Sequence, residues 1–350
     1  MILIFTFILF LFCFEEIRSY KITFKKFINK KILENNYNSD NDTYEILNNI
    51  KNSAIHIKKI LSLSFLEDIN LVNDNYNIHN EKQKKLDILS NSILKNAVTS
   101  DKRVSALCSE EEDKEKIINL KTNKKLIFVY DPLDGSSNVD SSMPMGTIFG
   151  LYKDSINFDT TLTSINKLNN MVLGGYILYS SSLHLVFYTE YKVYHFIYDE
   201  DVKDFILYND NVKIPRFNNI YSLNEGKINN FDIKHKLYID KLKDDGYSSR
   251  YHGCLVADFH NILMNGGIFM YPKNIKNNKS KLRLLYEAKP LAKLIDNAGG
   301  LCFDEKQNIN RKIINNIHET TPLYFGSREN MEDFQNFCNK LDEDKNNSIN

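Results

Sequence analysis

The sequence predicts a mixed chain, α+β with an α/β part, and three stretches carry that prediction. Lys124 to Gly150, KKLIFVYDPLDGSSNVDSSMPMGTIFG, opens as an apolar strand (Leu126 to Val129) rich in β-branched and aromatic residues, as buried strands are. Two segments ahead of it repeat apolar residues at helical spacing. The segments behind it alternate at strand spacing and then close in a strand–helix unit. A chain of 350 residues suggests one large domain or two smaller ones, with enough length for a substantial core. The formal net charge is zero, so nothing in the balance points to nucleic acid.

In chain order, Met1 to Phe14, MILIFTFILFLFCF, is almost wholly apolar. It is short of the roughly twenty residues that cross a bilayer and has the character of a signal-peptide core, although a charged lead-in and a small-residue cleavage site are both missing. Lys21 to Lys31, KITFKKFINKK, is basic and free of acid, which is transit-peptide character. Residues 1–39 together read as a leader that enters the secretory route and continues to a plastid-type organelle. The alternatives are a mispredicted start, which would leave a cytoplasmic protein, or an uncleaved anchor. No stable membrane partner is expected once the leader is removed.

From about Asp40 to Ile69, Ile46, Leu47, Ile50, Ala54, Ile57, Ile60 and Leu61 mark one long amphipathic helix or two, with Asp42 or Thr43 as the cap. Glu81 to Val98 is a further helix with Leu86, Leu89, Ile93 and Ala97 on one face. Val104 to Cys108 is a short strand, followed by the acidic run Ser109-Glu110-Glu111-Glu112-Asp113, which taken bare reads as a solvated loop.

The central stretch carries the chemistry. Its strand ends in Asp131 and Asp134, and Pro132 fixes its own φ and holds Asp131 extended, so the two carboxylates are presented from a stiff corner. Gly135 lets the backbone pass close to a ligand. Ser136, Ser137 and Asn138 are residue types that cap a helix, and a helix start offers N–H groups to a phosphate. Carboxylates for a hard cation beside donors for a phosphate are the equipment of a metal-dependent phosphatase. For D-x-x-D-G alone, a calcium loop or an ordinary acidic turn remains the competing reading.

Beyond the polar loop Asn157 to Asn170, GGYILYSS, LHLVFYT, KVYHFIYD and FILYN read as a β-meander. In KLRLLYEAKPLAKLIDNAGG, Lys281 to Tyr286 alternates as a strand with Glu287 at its end. Pro290 suits the first turn of the following helix, and Gly299-Gly300 ends it. The five cysteines (Cys13, Cys108, Cys254, Cys302, Cys338) show no metal spacing and read as reduced, mostly buried thiols. The tail, residues 341–350, is polar.

DPLDGSSN followed by GTIFG resembles the signature of the fructose-1,6-bisphosphatase family, among the magnesium-dependent sugar and inositol phosphatases. KKLDILSN, YSLNEG, YSSRYHGCLVADFHNILMNGGIFMYP and KLRLLYEAKP resemble further family stretches in the same order, so the likeness covers roughly Glu81 to Ser327. It implies a layered α-β-α-β-α fold with a metal site between two halves: residues 40–210, which carry the metal-binding carboxylates, and residues 211–340, which carry the sugar-phosphate pocket.

On that resemblance, Glu110, Asp131, Asp134, Glu287 and the Leu133 carbonyl bind two or three Mg²⁺ (or Mn²⁺), and Glu111 orients the attacking water. A shift of one residue, to Glu111 and Glu112, stays open. Asp87 becomes an active-site carboxylate, joined by Glu81, where the family usually has Asp. Gly135, Ser136 and Ser137, with Asp134, meet the 1-phosphate. Asn224, Tyr251, Tyr271 and Lys281 meet the distal phosphate, together with Arg250 from a neighbouring subunit, which implies a homo-oligomer, dimer or tetramer. Lys227 stands where the family often has a phosphate-binding Tyr.

The implied substrate is fructose 1,6-bisphosphate. Sedoheptulose 1,7-bisphosphate is the runner-up, and a non-catalytic sugar-phosphate-binding relative is the reading from another class. Leu126 and Lys153 stand where the family contacts AMP through a Tyr and an Arg, so weak AMP sensitivity is expected. The absence of cysteine between Cys108 and Cys254 speaks against a thiol switch.

Overall fold

The computed structural model describes residues 21–34, 41–64, 66, 72–76, 82–100, 103–118, 126–153, 168 and 170–347. The first half begins with helices α1 (Phe24–Glu34), α2 (Asn41–Leu63) and α3 (Lys85–Thr99); an antiparallel pair, β1 (Val72–Tyr76) and β2 (Lys82–Lys84), lies between the last two. An eight-stranded sheet follows, built from β3 (Val104–Ser109), β4 (Lys116–Ile117), β5 (Leu126–Asp134), β6 (Met145–Lys153), β7 (Met171–Tyr179), β8 (Leu183–Thr189), β9 (Lys192–Asp199) and β10 (Asp204–Asn209). Its order is β10-β9-β8-β7-β6-β5-β3-β4, antiparallel except where β3 runs beside β5. The second half contains β11 (Ile220–Ser222), α4 (Ile233–Asp244), β12 (Ser248–Ser249), α5 (Leu255–Asn265), β13 (Ile268–Tyr271), α6 (Lys289–Ala298), β14 (Leu301–Phe303), β15 (Leu323–Gly326) and α7 (Arg328–Asn347). Its five strands order as β12-β11-β13-β15-β14.

Side-chain alternation makes the layers. On β5, Leu126, Phe128 and Tyr130 enter the core under α1, α2 and α3, while Ile127 and Val129 enter the core shared with α5 and α6. Both faces are buried, which is why this strand is a continuous apolar run rather than an alternating one. On the smaller sheet Phe269 and Phe325 stack in the α5/α6 core, ring centroids 4.6 Å apart, while Ile268, Met270 and Tyr324 face α4 and α7. The result is α-β-α-β-α, and the meander read from GGYILYSS to FILYN is β7 to β10.

Several elements differ from expectation. The basic segment Lys21–Lys31, read above as transit-like, packs onto the body of the fold. It forms α1, whose Phe24, Phe27 and Ile28 are buried, with Phe24 edge-on to Phe196 (5.2 Å) and Phe27 to Tyr194 (5.0 Å). Each such aromatic contributes about 1.5–3 kcal/mol on burial, and Lys25, Lys26 and Lys30 form the solvated face of an amphipathic helix while Lys31 pairs with Glu190. Residues 1–20, with Cys13, lie outside the described residues; among those described, no helix is long and apolar enough to cross a membrane.

Helix α3 starts at Lys85 rather than Glu81, because EKQKK offers no apolar face to bury before Leu86. Glu81 itself is outside the described residues. The buried stripe of α3 is Leu86, Ser90, Leu94 and Val98, with Leu89 exposed, and this rotation also turns Asp87 and Asn91 inward. Lys281–Tyr286 is not a strand. Leu284, Leu285, Tyr286 and Glu287 are buried consecutively, as a wide helical turn over Leu284–Ala288 allows and a two-faced strand does not.

Candidate active site

Backbone geometry brings acids from three parts of the chain together. The parallel register of β3 on β5 sets Ser109 beside Tyr130, and the Glu110 N–H donates to the Tyr130 carbonyl (3.1 Å), which puts Glu110 next to Asp131. The wide turn before α6 delivers Glu287. One carboxylate oxygen from each of Glu110, Asp131 and Glu287 lies within 4.8 Å of the other two. Asp134 ends β5, and its Oδ2 accepts from the Val256 N–H (2.7 Å) and the Cys254 thiol (3.0 Å) at the start of α5. The corner between the aspartates is buttressed: Leu133 N–H donates to Asp131 Oδ1 (3.0 Å), and the Thr147 hydroxyl donates to the Pro132 carbonyl (2.8 Å).

Crowded buried carboxylates resist ionising together. Burial, followed by the charges of Glu110, Asp134 and Glu287, holds Asp131 well above the usual carboxylate range. Burial also pushes Asp134 up to about 6, against the opposing pull of the Val256 N–H, and Glu287 up to about 8, against the opposing pull of Arg283. Arg283 answers part of this charge: its guanidinium lies 3.2 Å from Glu110 Oε1 and 3.8 Å from Glu287 Oε1, and its backbone N–H donates to Glu287 Oε2 (3.1 Å). An all-oxygen set that carries such excess negative charge fits a hard divalent cation.

The acids open onto a cleft of about 350 Å³ lined also by Asp87, Glu111, Leu133, Gly135, Ser136, Ser137, Tyr251, Tyr271 and Lys281. Gly135 has φ 75° and caps a short 3₁₀ helix, Ser136–Ser141; a Cβ there would meet the Cys254 Cβ at 2.7 Å. The cap is therefore the glycine backbone rather than a serine side chain. Asn224 stands behind Tyr251, 3.5 Å from its hydroxyl. Arg250 is exposed, donates to the Ser249 carbonyl (2.8 Å) and does not line the cleft. Glu112 turns away from the acids to Lys95 and Asn91. Lys227 lines an adjoining cleft of about 390 Å³ that shares Tyr271, Lys281 and Arg283 with the first.

The chain matches the descriptions "Fructose-1-6-bisphosphatase, N-terminal domain" over residues 22–210 and "Fructose-1-6-bisphosphatase, C-terminal domain" over residues 214–339. The chain belongs to the fructose-1,6-bisphosphatase family. It is 42% identical to the cytosolic fructose-1,6-bisphosphatase of Arabidopsis thaliana over 265 residues, covering 74% of this chain and 78% of that one. With the chloroplastic fructose-1,6-bisphosphatase of Triticum aestivum it shares 35% over 316 residues, covering 85% and 77% respectively. The crystal structure of Leishmania major fructose-1,6-bisphosphatase in holo form superposes with a TM-score of 0.85 at 32% identity, covering 91% of this chain and 99% of that one.

Four residues in or beside this cleft of a fructose-1,6-bisphosphatase family chain were not picked out by sequence reasoning. Arg283 lay inside KLRLL, where its reach depends on the wide turn. Asp258, 1% exposed, accepts from the Ser222 hydroxyl (3.0 Å) and the His252 N–H (3.0 Å) and bonds the His252 ring (2.9 Å), fixing the loop that carries Tyr251. That bond raises the His252 pKa. Cys254 touches Asp134. The run RYHGCLVADFH held Asp258, His252 and Cys254 in plain sight, but nothing in its spacing separated them from core residues.

Proposed function

We propose that the protein hydrolyses the 1-phosphate of fructose 1,6-bisphosphate to fructose 6-phosphate and phosphate, using Mg²⁺. The observation that carries this reading is the meeting of Glu110, Asp131 and Glu287 at one edge of a cleft whose other walls hold phosphate-binding residue types. Glu110, Asp131, Asp134, Glu287 and the Leu133 carbonyl would hold two or three ions. Bound there, Mg²⁺ supplies positive charge for the phosphoryl oxygens and leaving alkoxide and makes a water acidic.

The chain's own groups do the rest. Glu111, aided by Asp87 or Glu81, accepts the water's proton. The Gly135 and Ser136 amides, with Ser137, hold the 1-phosphate in line. Asn224, Tyr251, Tyr271 and Lys281 grip the distal phosphate, and Lys227 adds a point charge from the adjoining cleft. An exposed Arg250 suits a role across a subunit boundary in a homo-oligomer. Relatives of both cytosolic and chloroplastic description leave a cytoplasmic and a plastid location as the two readings.

Phosphate release by the purified protein, with Mg²⁺ and each bisphosphate in turn, tests the proposal. Release from fructose 1,6-bisphosphate, abolished by chelator, is expected. Faster release from sedoheptulose 1,7-bisphosphate would transfer the assignment to that substrate, and release from neither would leave a binding protein.

A further inference from the structure

Away from the carboxylates, β8, β9 and α5 bring three histidines together. Strand pairing puts His195 opposite Val186, two residues beyond His184, so both imidazoles leave the same face of the sheet, and His260 of α5 meets them there. The ring centroids are 5.2 Å apart for His184 and His195, 4.9 Å for His184 and His260, and 5.5 Å for His195 and His260. One ring nitrogen from each lies within 4.8 Å of the other two.

As packing alone this is a poor arrangement. His184 Nδ1 and His195 Nε2 share one hydrogen bond (2.9 Å), and Tyr176 Oη meets His260 Nδ1 (2.7 Å). His195, only 2% exposed, has no hydrogen-bond partner for its Nδ1 among the described residues. Leaving such a group unsatisfied costs about 1–3 kcal/mol.

We propose that His184, His195 and His260 bind one Zn²⁺-class transition-metal ion, at a site separate from the carboxylate centre, with a fourth position open to water. Zn–N bonds of about 2.0–2.1 Å in a tetrahedron place ligand nitrogens about 3.4 Å apart, a spacing bracketed by the 2.9 Å contact and the 4.8 Å bound. Three imidazoles without a carboxylate select zinc, copper or nickel over Mg²⁺. Tyr176 supplies the outer partner: accepting from His260 Nδ1–H, it leaves Nε2 to the ion. Burial lowers the pKa of all three rings, which favours the neutral form that ligates. His184 and His260 are only partly buried, which gives the ion a way in.

The site would act as a clamp. His260 lies four residues after Val256, about one turn along α5, and Val256 holds Asp134. An ion here pins the meander to the helix that positions a catalytic carboxylate.

The test is zinc stoichiometry. The full chain is loaded with Zn²⁺ in a large excess of Mg²⁺, dialysed against Mg²⁺, and its zinc counted. The wild type is expected to keep one Zn²⁺ per chain more than His184→Asn or His260→Gln, both of which retain Mg²⁺-dependent phosphate release. Equal zinc in wild type and variants, or none in the wild type, would overturn the proposal. Should the variants fail to fold, Co²⁺ in the wild type reads the same question. Intense tetrahedral visible bands that survive excess Mg²⁺ support the site, and weak octahedral bands alone refute it.

Discussion

Replacing Gly146 by alanine probes how the fold holds its carboxylates. Gly146 pairs with Asp134 across β5 and β6, and an added Cβ would stand 2.3 Å from the Val256 Cβ and 2.4 and 2.6 Å from its two methyls. Carbons in contact need about 3.5 Å, so Val256 has to retreat by about 1.2 Å. The N–H of that same residue holds Asp134 Oδ2 at 2.7 Å. Drawn out to about 3.9 Å, it is no longer a hydrogen bond. Overpacking costs about 1–3 kcal/mol and a lost bond to a charged acceptor about 1.5–3 kcal/mol, so a loss of about 2.5–6 kcal/mol of stability is expected. A catalytic group displaced by about 1 Å loses about 100-fold in kcat. Thermal denaturation and phosphate release at saturating Mg²⁺ read the two effects. Val256→Gly in the same background removes all three clashing atoms and keeps the N–H, so it should return most of the activity. Wild-type turnover in the single variant, or a double variant no better than the single, would refute the steric argument.

Removing metal should make stability fall as pH rises. Asp134 and Glu287 are raised to about 6 and about 8 in the folded protein, so between about pH 4 and 8 the native state holds protons that the unfolded state releases, and that stabilisation is lost as pH climbs through the window. Melting temperature in chelator should drop from pH 5 to 8, the Mg²⁺-induced rise should be larger at pH 8, and Glu287→Gln should flatten the slope; a larger Mg²⁺ effect at pH 5 would contradict this. Asn224→Ala removes a donor from the proposed distal-phosphate pocket, worth about 1.5–3 kcal/mol, so steady-state kinetics should show KM for the bisphosphate up about 10–100-fold with kcat nearly unchanged. If Asn224 only packs, melting temperature falls instead. AMP should inhibit weakly, since Leu126 is buried and pairs across the sheet with Lys153; half-inhibition in the micromolar range would overturn that expectation.

What could be read from the sequence was the chemistry that is local in the chain. Asp131, Pro132, Asp134 and Gly135 sit within five residues, so their shared corner follows from strand pattern and turn chemistry alone. The choice among Glu110, Glu111 and Glu112 could not be made that way. It depends on the parallel register of Ser109 on Tyr130 and on Lys95 drawing Glu112 aside, which are long-range facts. Arg283 escaped notice for the same reason: alternating letters suggested a strand, and only a wide turn puts its guanidinium between Glu110 and Glu287. In α1 the basic composition outweighed the Phe24, Phe27 and Ile28 spacing that marked a buried face.

The two clusters make the same point about scale. The carboxylates announce themselves because β5 ends in two of them, Asp131 and Asp134, within one motif, and Glu110 and Glu287 are supplied by elements packed directly on that strand. The three histidines come one each from β8, β9 and α5, with no spacing that a motif could record, and only sheet register and helix packing make them neighbours. Yet α5 belongs to both: its first turn holds Asp134, and its next turn carries His260. The zinc measurement and the Gly146 variant therefore examine one helix at two places, the turn that carries His260 and the turn that holds Asp134.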